Sequence, residues 1–451
     1  MSNMSQAVAE VSRRPKWIAK WDEFWFKPQS PIPMAIFRIL FGCVLLENQL
    51  VHLLPDFDLY YSKNSIIPIK DMISLYWHND HMFDVLLLLP NDDRWLLGAF
   101  YVLIGFTVML TLGVFTRLSS WIVFMLLMSF GHQFELNQNA GDNYMRIAAM
   151  CLAFSNAGDA FSVDALLRNI KKDWRITGFY PLYSAPWAQR LLQIQLLIAY
   201  CHTFFGKIEG TRWNDGTAVY YAVRYDDIIR FPIPHFIDKL WFYQVSTYGT
   251  LLVEFVLWNL IWWKPARYWV LLAGLALHLG IEYFMNLPMF EWNFMFTYLL
   301  FIDPQDMVKV ANKAKAYITL KFGAPLIVAF DNNCLSCVKY VGLLHRLDIF
   351  GRLTFADASE PAIKELLPSG TNAANQVLIQ STDGKWLSGF EGWRQAAIRL
   401  PLTWLPALLA HIPVLDMLVK AFYLSFAANS LIWFGQDSVA PSKPIMSEGA
   451  A

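Results

Sequence analysis

Eight apolar segments, at about 34–54, 96–115, 118–134, 143–157, 188–206, 247–263, 266–284 and 290–303, constrain this chain more than any other feature. A bilayer core is crossed by roughly 20 apolar residues of helix, because a helix satisfies its own backbone polar groups where no water can. Several segments are shorter than that, 143–157 and 290–303 most of all, and the run LLLLP at 86–90 is too short to span. Charged residues make up 16% of the chain, against roughly 25% in soluble domains. The pattern predicts a polytopic α-helical membrane domain of about eight spans over 31–304. Nineteen Trp residues fit the aromatic belts at membrane–water interfaces. A net formal charge of zero offers nothing to a phosphate backbone, so nucleic acid is not an expected partner.

Before the first segment, residues 17–27 read WIAKWDEFWFK, with aromatics alternating with charges ahead of a Pro-rich turn. This predicts an interfacial amphipathic helix within an N-terminal segment 1–30, or else a helix packed on the C-terminal domain. Loop charge sets an expected topology. The N-terminal stretch is basic, the loop 55–95 holds Asp56, Asp58, Asp71, Asp80, Asp84, Asp92 and Asp93, and the next loops carry Arg168, Lys171, Lys172 and Arg175, then Lys264 and Arg267. Positive charge marks the cytoplasmic side. With an even number of spans, both termini are expected in the cytoplasm of a protein integral to a membrane, such as a bacterial inner membrane.

After Pro304 the composition changes. Residues 305–322 read as a linking amphipathic helix, and 323–435 as a small α/β domain of thioredoxin-like order. In that domain LIVAF at 326–330 is a strand, Asp331-Asn332-Asn333 a turn, 334–348 a helix and LTFADA at 353–358 a second strand. VLIQ and KWLSG flank Ser381-Thr382-Asp383-Gly384 as a hairpin. The stretch 401–433 is apolar, with broken helices that dock on the membrane domain or the bilayer. A polar tail, 436–451, is expected to be disordered.

Cys334 and Cys337 are the two of five Cys that form a motif. Cys43, Cys151 and Cys201 lie in apolar runs and read as buried small residues. A thiolate is the nucleophile in disulfide exchange, and a helix start stabilises it through unpaired N–H groups and the dipole. Cys334 falls where a strand and turn deliver the chain to a helix, with Cys337 one turn on, an arrangement for nucleophile and resolving thiol. Two structural thiols, or half of a zinc site, are the alternatives. A zinc site needs four ligands, and His345 and His411 stand alone, so no metal is expected. Asp331 either accepts a thiol proton or caps the helix.

The run LIVAFDNNCLSCVKYVGLLHRLDIFGRLTFADAS resembles the DCC family of thiol–disulfide oxidoreductases, named for an Asp-x-x-Cys-x-x-Cys motif. The Asp falls on Asp331 and the thiols on Cys334 and Cys337, and the likeness extends to YLSFAANS near 423. Asn332 stands where the family usually has Gly. The resemblance implies a dithiol that needs no cofactor and exchanges with a thiol or disulfide protein or a small thiol.

Ionisable residues inside spans are costly, so each is a candidate functional group. Arg38 and Glu47 are nine residues apart and out of phase on their helix. Asp142 and Arg146, and likewise His278 and Glu282, are four apart and can pair. His202 and Lys207 end the fifth segment. In the expected topology His132, Glu135, Asp142, Lys207, Glu282 and Glu291 fall towards the outer side and suggest a polar pocket there. Interhelical polar packing with snorkelling span ends is the plainer reading.

FRILFG at 37–42, GDNYMRIAAMCLAFSNAGDAFSVD at 141–164, GKIEGTRWNDGTAVYYA at 206–222 and LHLGIEYFMNLPMFEW at 277–292 resemble the HTTM membrane domain. This is the bacterial relative of the vitamin K-dependent gamma-glutamyl carboxylase membrane region. In that carboxylase a Lys ahead of a Trp-containing stretch acts on vitamin K hydroquinone, and Lys207 before Trp213 is the matching position. A desolvated Lys can act as a base. Asp142 stands in Gly-Asp-Asn-Tyr where the carboxylase has a functional His, which argues against glutamate carboxylation. The resemblance implies a lipophilic, quinone-like ligand near Arg38, His132, Asp142, Arg146, His202, Trp213, His278 and Glu282.

The leading expectation is a membrane-anchored thiol–disulfide oxidoreductase acting through Cys334 and Cys337, with possible coupling to a quinone. The alternatives are a carboxylase-like membrane enzyme acting through Lys207 with a regulatory thiol domain, and a non-catalytic membrane assembly or export factor.

Overall fold

The computed structural model describes residues 15–66, 84–90, 92–133, 138–172, 183–287, 289–368 and 376–428. Asp71, Asp80, Glu135, Arg175 and the tail 436–451 lie outside the described residues. The chain forms two compact units, one of Met1–Ala165 with Pro181–Pro304 and one of Leu166–Tyr180 with Gln305–Ala451.

The first unit is helical. Helix α1 (Lys16–Phe26) precedes α2 (Ile32–Glu47), which continues as a π-helical stretch, Asn48–Leu53. Then come α3 (Asp93–Leu112), α4 (Thr116–Gln133), α5 (Ala140–Phe154), α6 (Trp187–Ile208), α7 (Leu240–Leu260), α8 (Lys264–Phe284) and α9 (Phe290–Tyr298). Each of the eight apolar segments therefore forms a helix. Among the described residues three helices, Ile32–Leu53, Asp93–Leu112 and Trp187–Ile208, are long and apolar enough to cross a membrane. Helix α9, at nine residues, rises only about 14 Å. Its Glu291, Asn293, Phe294 and Thr297 are buried instead among its neighbours. A helix enclosed by other helices need not reach across a bilayer, which is why its segment is short.

Within this unit α2 packs on α3, α3 on α4, α4 on α5 and α6 on α7. Phe37, Phe41, Leu45, Phe100, Leu103, Leu110, Leu192 and Leu196 share one core and are almost wholly enclosed. The outward faces are apolar too. Trp269 is 74% exposed and Leu272 54% on α8, a pattern that suits lipid rather than water. Helix α1 is held by Arg190, whose guanidinium lies 4.9 Å from the Phe24 ring centre and 5.3 Å from that of Trp262, while Trp17 and Trp21 stay exposed. It thus packs within the first unit.

The long stretch of the second unit begins at α10 (Pro304–Phe322), whose last carbonyl, that of Phe322, accepts one guanidinium arm of Arg352 at 2.8 Å while that of Gly323 accepts the other at 2.6 Å. There follow β1 (Leu326–Phe330), α11 (Leu335–Leu347), β2 (Leu353–Asp357), α12 (Pro361–Leu366), β3 (Val377–Gln380), β4 (Trp386–Ser388) and α13 (Gly389–Ala397). The sheet runs β2-β1-β3-β4, with β1 parallel to β2 and antiparallel to β3. Strand β1 is central, so Val328, Ala329 and Phe330 are buried on both faces. The expected hairpin is present: β3 pairs with β4 from Leu378–Ser388 to Gln380–Trp386, and Gly384 takes the positive φ of +82° that its turn requires. Helices α14 (Trp404–Leu409) and α15 (Pro413–Ala428) follow. Leu405, Val414, Met417 and Phe422 on them are each at least 70% exposed.

Candidate functional site

The thiols lie at the C-terminal end of the central strand. Chain leaving β1 turns at Asp331, whose Oδ1 accepts the Asn333 N–H at 2.9 Å. The Asp331 carbonyl then accepts the Cys334 N–H at 3.2 Å. Asp331 thus closes this turn. The cap is Cys334 itself, in extended conformation, with its Sγ accepting the Cys337 N–H at 3.2 Å. One turn of helix brings the two Cα atoms to 5.2 Å, and the sulfurs are joined in a disulfide. Both residues are buried, at 6% and 5% exposure. They pack with Val338, Val341 and Leu344 of α11 against Leu326, Val328 and Phe330 of β1.

This setting fixes the chemistry available. A free sulfur at Cys334 meets a helix N-terminus, where N–H groups and the dipole favour negative charge. Cys337 is held within bonding reach, so a mixed disulfide on Cys334 can be resolved without unfolding. Farther along the helix, His345 packs edge-on against Phe355, with ring centres 5.3 Å apart. Burial pushes its pKa below the ordinary His value, with Asp348 opposing the shift. Among the described residues no group of three or more His, Cys, Asp or Glu could hold a metal.

The helical unit holds a second site, a cavity of about 250 Å³ walled by α5, α6, α7, α8 and α9. Asn143, Tyr200, His202, Lys207, Glu254 and His278 line it. Lys207 Nζ donates to Glu254 Oε1 and sits 5.1 Å from the Trp213 ring centre. His278 joins two partners: its Nδ1 meets the Glu291 carboxylate, and its Nε2 lies 2.5 Å from the Tyr200 hydroxyl. Tyr200 in turn meets the Tyr298 hydroxyl at 2.5 Å. Glu254, His278, Glu291, Tyr200 and Tyr298 are buried in an apolar surround and Lys207 is partly exposed, so each buried charge depends on its partner.

The structure thus gathers three expected residues, Lys207, His202 and His278, on one cavity, with Trp213 packed against Lys207. The other pocket candidates lie elsewhere. Arg38 is fully buried and donates to the Ala157 and Phe161 carbonyls at 2.7 and 2.5 Å, stapling α2 to the chain after α5. Glu47 pairs with His52 at 3.1 Å, so it and Arg38 do not meet. His132 faces Asp84 at 3.4 Å. Asp142 accepts the Asn139 N–H at 2.8 Å in a capping box at the start of α5, and Arg146 is also outside the cavity wall. Glu282 pairs with Arg230. His278 therefore takes Glu291 as its carboxylate partner and not Glu282, four residues away, because α9 folds back against α8.

Tyr200, Tyr298 and Glu254 are functional candidates that the sequence reading passes over. The two phenols carried no charge to flag them. Glu254, a lone carboxylate in the sixth apolar segment, falls under the same rule that singles out Lys207.

Residues 328–436 match the family model of the DCC1-like thiol-disulfide oxidoreductase. Residues 26–305 match that of the HTTM domain. No curated protein and no solved structure matches the chain. The HTTM match runs from the end of α1 to the start of α10 and covers more than half of the chain, so this protein belongs to the HTTM domain family and carries a DCC1-like thiol–disulfide oxidoreductase domain behind it.

Proposed function

We propose that the protein is a membrane-anchored thiol–disulfide oxidoreductase. One observation carries this reading: Cys334 caps a helix at the end of a central strand with Cys337 within disulfide reach. The strand order and senses agree with a thioredoxin-like domain. The Cys334 thiolate attacks a substrate disulfide, forming a mixed disulfide and releasing one substrate thiolate. The Cys337 thiolate then attacks Cys334, which closes the internal disulfide and releases the second substrate thiolate. Two electrons pass from the dithiol to the substrate, and the reverse sequence runs it as an oxidant. The test is a maleimide gel shift on the reduced full chain in membranes after addition of oxidised glutathione. Joint loss of two reactive thiols, absent in Cys334→Ser, supports the reading; unchanged thiols overturn it.

The helical unit holds the site at the membrane. We take helices α2 to α9 as one membrane-embedded bundle with both termini on the cytoplasmic side. The cavity supports a finer reading, in which a lipophilic quinone bound beside Lys207 exchanges reducing equivalents with the dithiol. The observation behind it is the Lys207–Glu254 pair and the His278–Tyr200 contact on one apolar cavity. Oxidation of the dithiol by an added quinone, lost in Lys207→Ala, is expected from it. A carboxylase-like reaction at Lys207 with a regulatory thiol domain is the competing use of the same cavity. There a double Cys variant keeps activity and Lys207→Ala loses it.

A further inference from the structure

The two residues between the thiols are Leu335 and Ser336, and they are not equivalent. Ser336 places its hydroxyl oxygen 3.2 Å from Cys334 Sγ. The same sulfur accepts the Cys337 N–H at 3.2 Å. Two donors converge on one sulfur, and among the described residues none approaches the sulfur of Cys337 in this way. At 6% exposure, Cys334 receives little solvation from water. A thiolate there depends on protein donors, and a hydroxyl donating to an ionised acceptor is among the stronger hydrogen bonds.

We propose that Ser336 is a tuning residue of the dithiol, donating its hydroxyl to the Cys334 thiolate and marking Cys334 as the attacking sulfur. The inference rests on reading the pair as an exchange site and goes one step further, to what sets its reactivity. A disulfide sulfur is a weak acceptor and a thiolate a strong one. The hydroxyl therefore favours the reduced, ionised state over the disulfide. It makes Cys334 more acidic and the pair easier to reduce. Its position at the second residue of α11 allows this without disturbing the helix, because the Cys337 N–H already serves as the backbone donor.

The test compares the full chain with Ser336→Ala and Ser336→Thr. The pH dependence of Cys334 alkylation by iodoacetamide is followed on its own peptide by mass spectrometry, which keeps Cys43, Cys151 and Cys201 out of the signal. The dithiol–disulfide ratio is read against defined glutathione mixtures. With Ala, the Cys334 pKa is expected to rise by about one unit and the equilibrium to move about tenfold towards the disulfide. Thr keeps a hydroxyl and is expected to stay near the wild type. An Ala variant with the wild-type pKa and equilibrium overturns the role of Ser336 while leaving the exchange reading intact. A Thr variant that fails as Ala does overturns it too, since packing and not the hydroxyl then matters. A wild-type chain whose Cys334 titrates as an ordinary thiol and exchanges with no glutathione overturns the exchange reading itself.

Discussion

The two candidate sites are built in opposite ways. The thiol site is local: Asp331, Asn333, Cys334 and Cys337 are joined by hydrogen bonds that span two or three residues each. The cavity is assembled from five helices, and its pairs are distant in sequence: Lys207 with Glu254, Tyr200 with His278, Tyr200 with Tyr298. A local site depends on one strand, one turn and one helix start. A distributed site depends on how helices pack, so it is vulnerable to changes far from any ligand. Each site is also contained within its own compact unit, so each should fail separately.

The sharpest separation is expected from Cys334→Ser, which abolishes disulfide exchange while leaving the thermal stability of the helical unit unchanged. Exchange assays alongside intrinsic fluorescence unfolding in detergent check both. If the helical unit melts as well, the two sites are not independent. Next in size is Lys207→Met. It strands the Glu254 carboxylate in an apolar wall, and losing one partner of a buried pair costs about 3–5 kcal/mol. Thermal unfolding of the full chain should show that loss, and Lys207→Met with Glu254→Gln should recover part of it. Arg38→Leu leaves two carbonyls without their donors, at a cost of about 2–4 kcal/mol for two buried acceptors. It should destabilise the helical unit with no effect on the cavity residues or on exchange.

The smallest effect is one of pH. Burial lowers the His345 pKa in the folded domain, so the folded state binds fewer protons than the unfolded chain. The sign follows: stability is complete above the ordinary His value of about 6.5 and declines as pH falls through it towards the lower folded value. Urea unfolding between pH 8 and pH 5, about 1.5 units either side of the ordinary His value, should show the slope, and His345→Phe should flatten it.

Much of the fold was legible in the sequence for physical reasons that differ by region. The eight apolar segments marked their helices because hydrocarbon-length apolar runs leave a backbone little other choice. Their number did not translate into eight membrane-crossing lengths. Helix α9 is enclosed by its neighbours, and no one-dimensional hydropathy measure distinguishes burial in protein from burial in lipid. In the second unit the strand, turn and helix start around Cys334 were readable because β-branched and apolar runs, Asn-rich turn chemistry and helical spacing are all short-range signals. Asp331 forms an Asx turn with Asn333 ahead of the helix, and an Asx turn and a helix cap differ by a few residues of backbone geometry that the sequence does not resolve.

The cavity was half legible. Charge inside apolar segments pointed to Lys207 and His278, but it pointed equally to Arg38, which serves a backbone staple, and to Glu282, which pairs with Arg230. Spacing of four suggested His278 with Glu282, yet the fold back from α8 to α9 supplied Glu291 instead. Partners set by tertiary packing leave no trace in helical spacing. Tyr200 and Tyr298 carry no charge, so nothing in their surroundings along the chain set them apart.

The central claim is that Cys334 attacks and Cys337 resolves. The most direct measurement captures the mixed disulfide on the full chain in membranes, comparing Cys337→Ser with Cys334→Ser by non-reducing gel and mass spectrometry. We expect Cys337→Ser to accumulate a reducible adduct bonded through Cys334, and Cys334→Ser to accumulate none. An adduct held through Cys337 in the Cys334→Ser chain, or no adduct with either variant, would contradict the assignment.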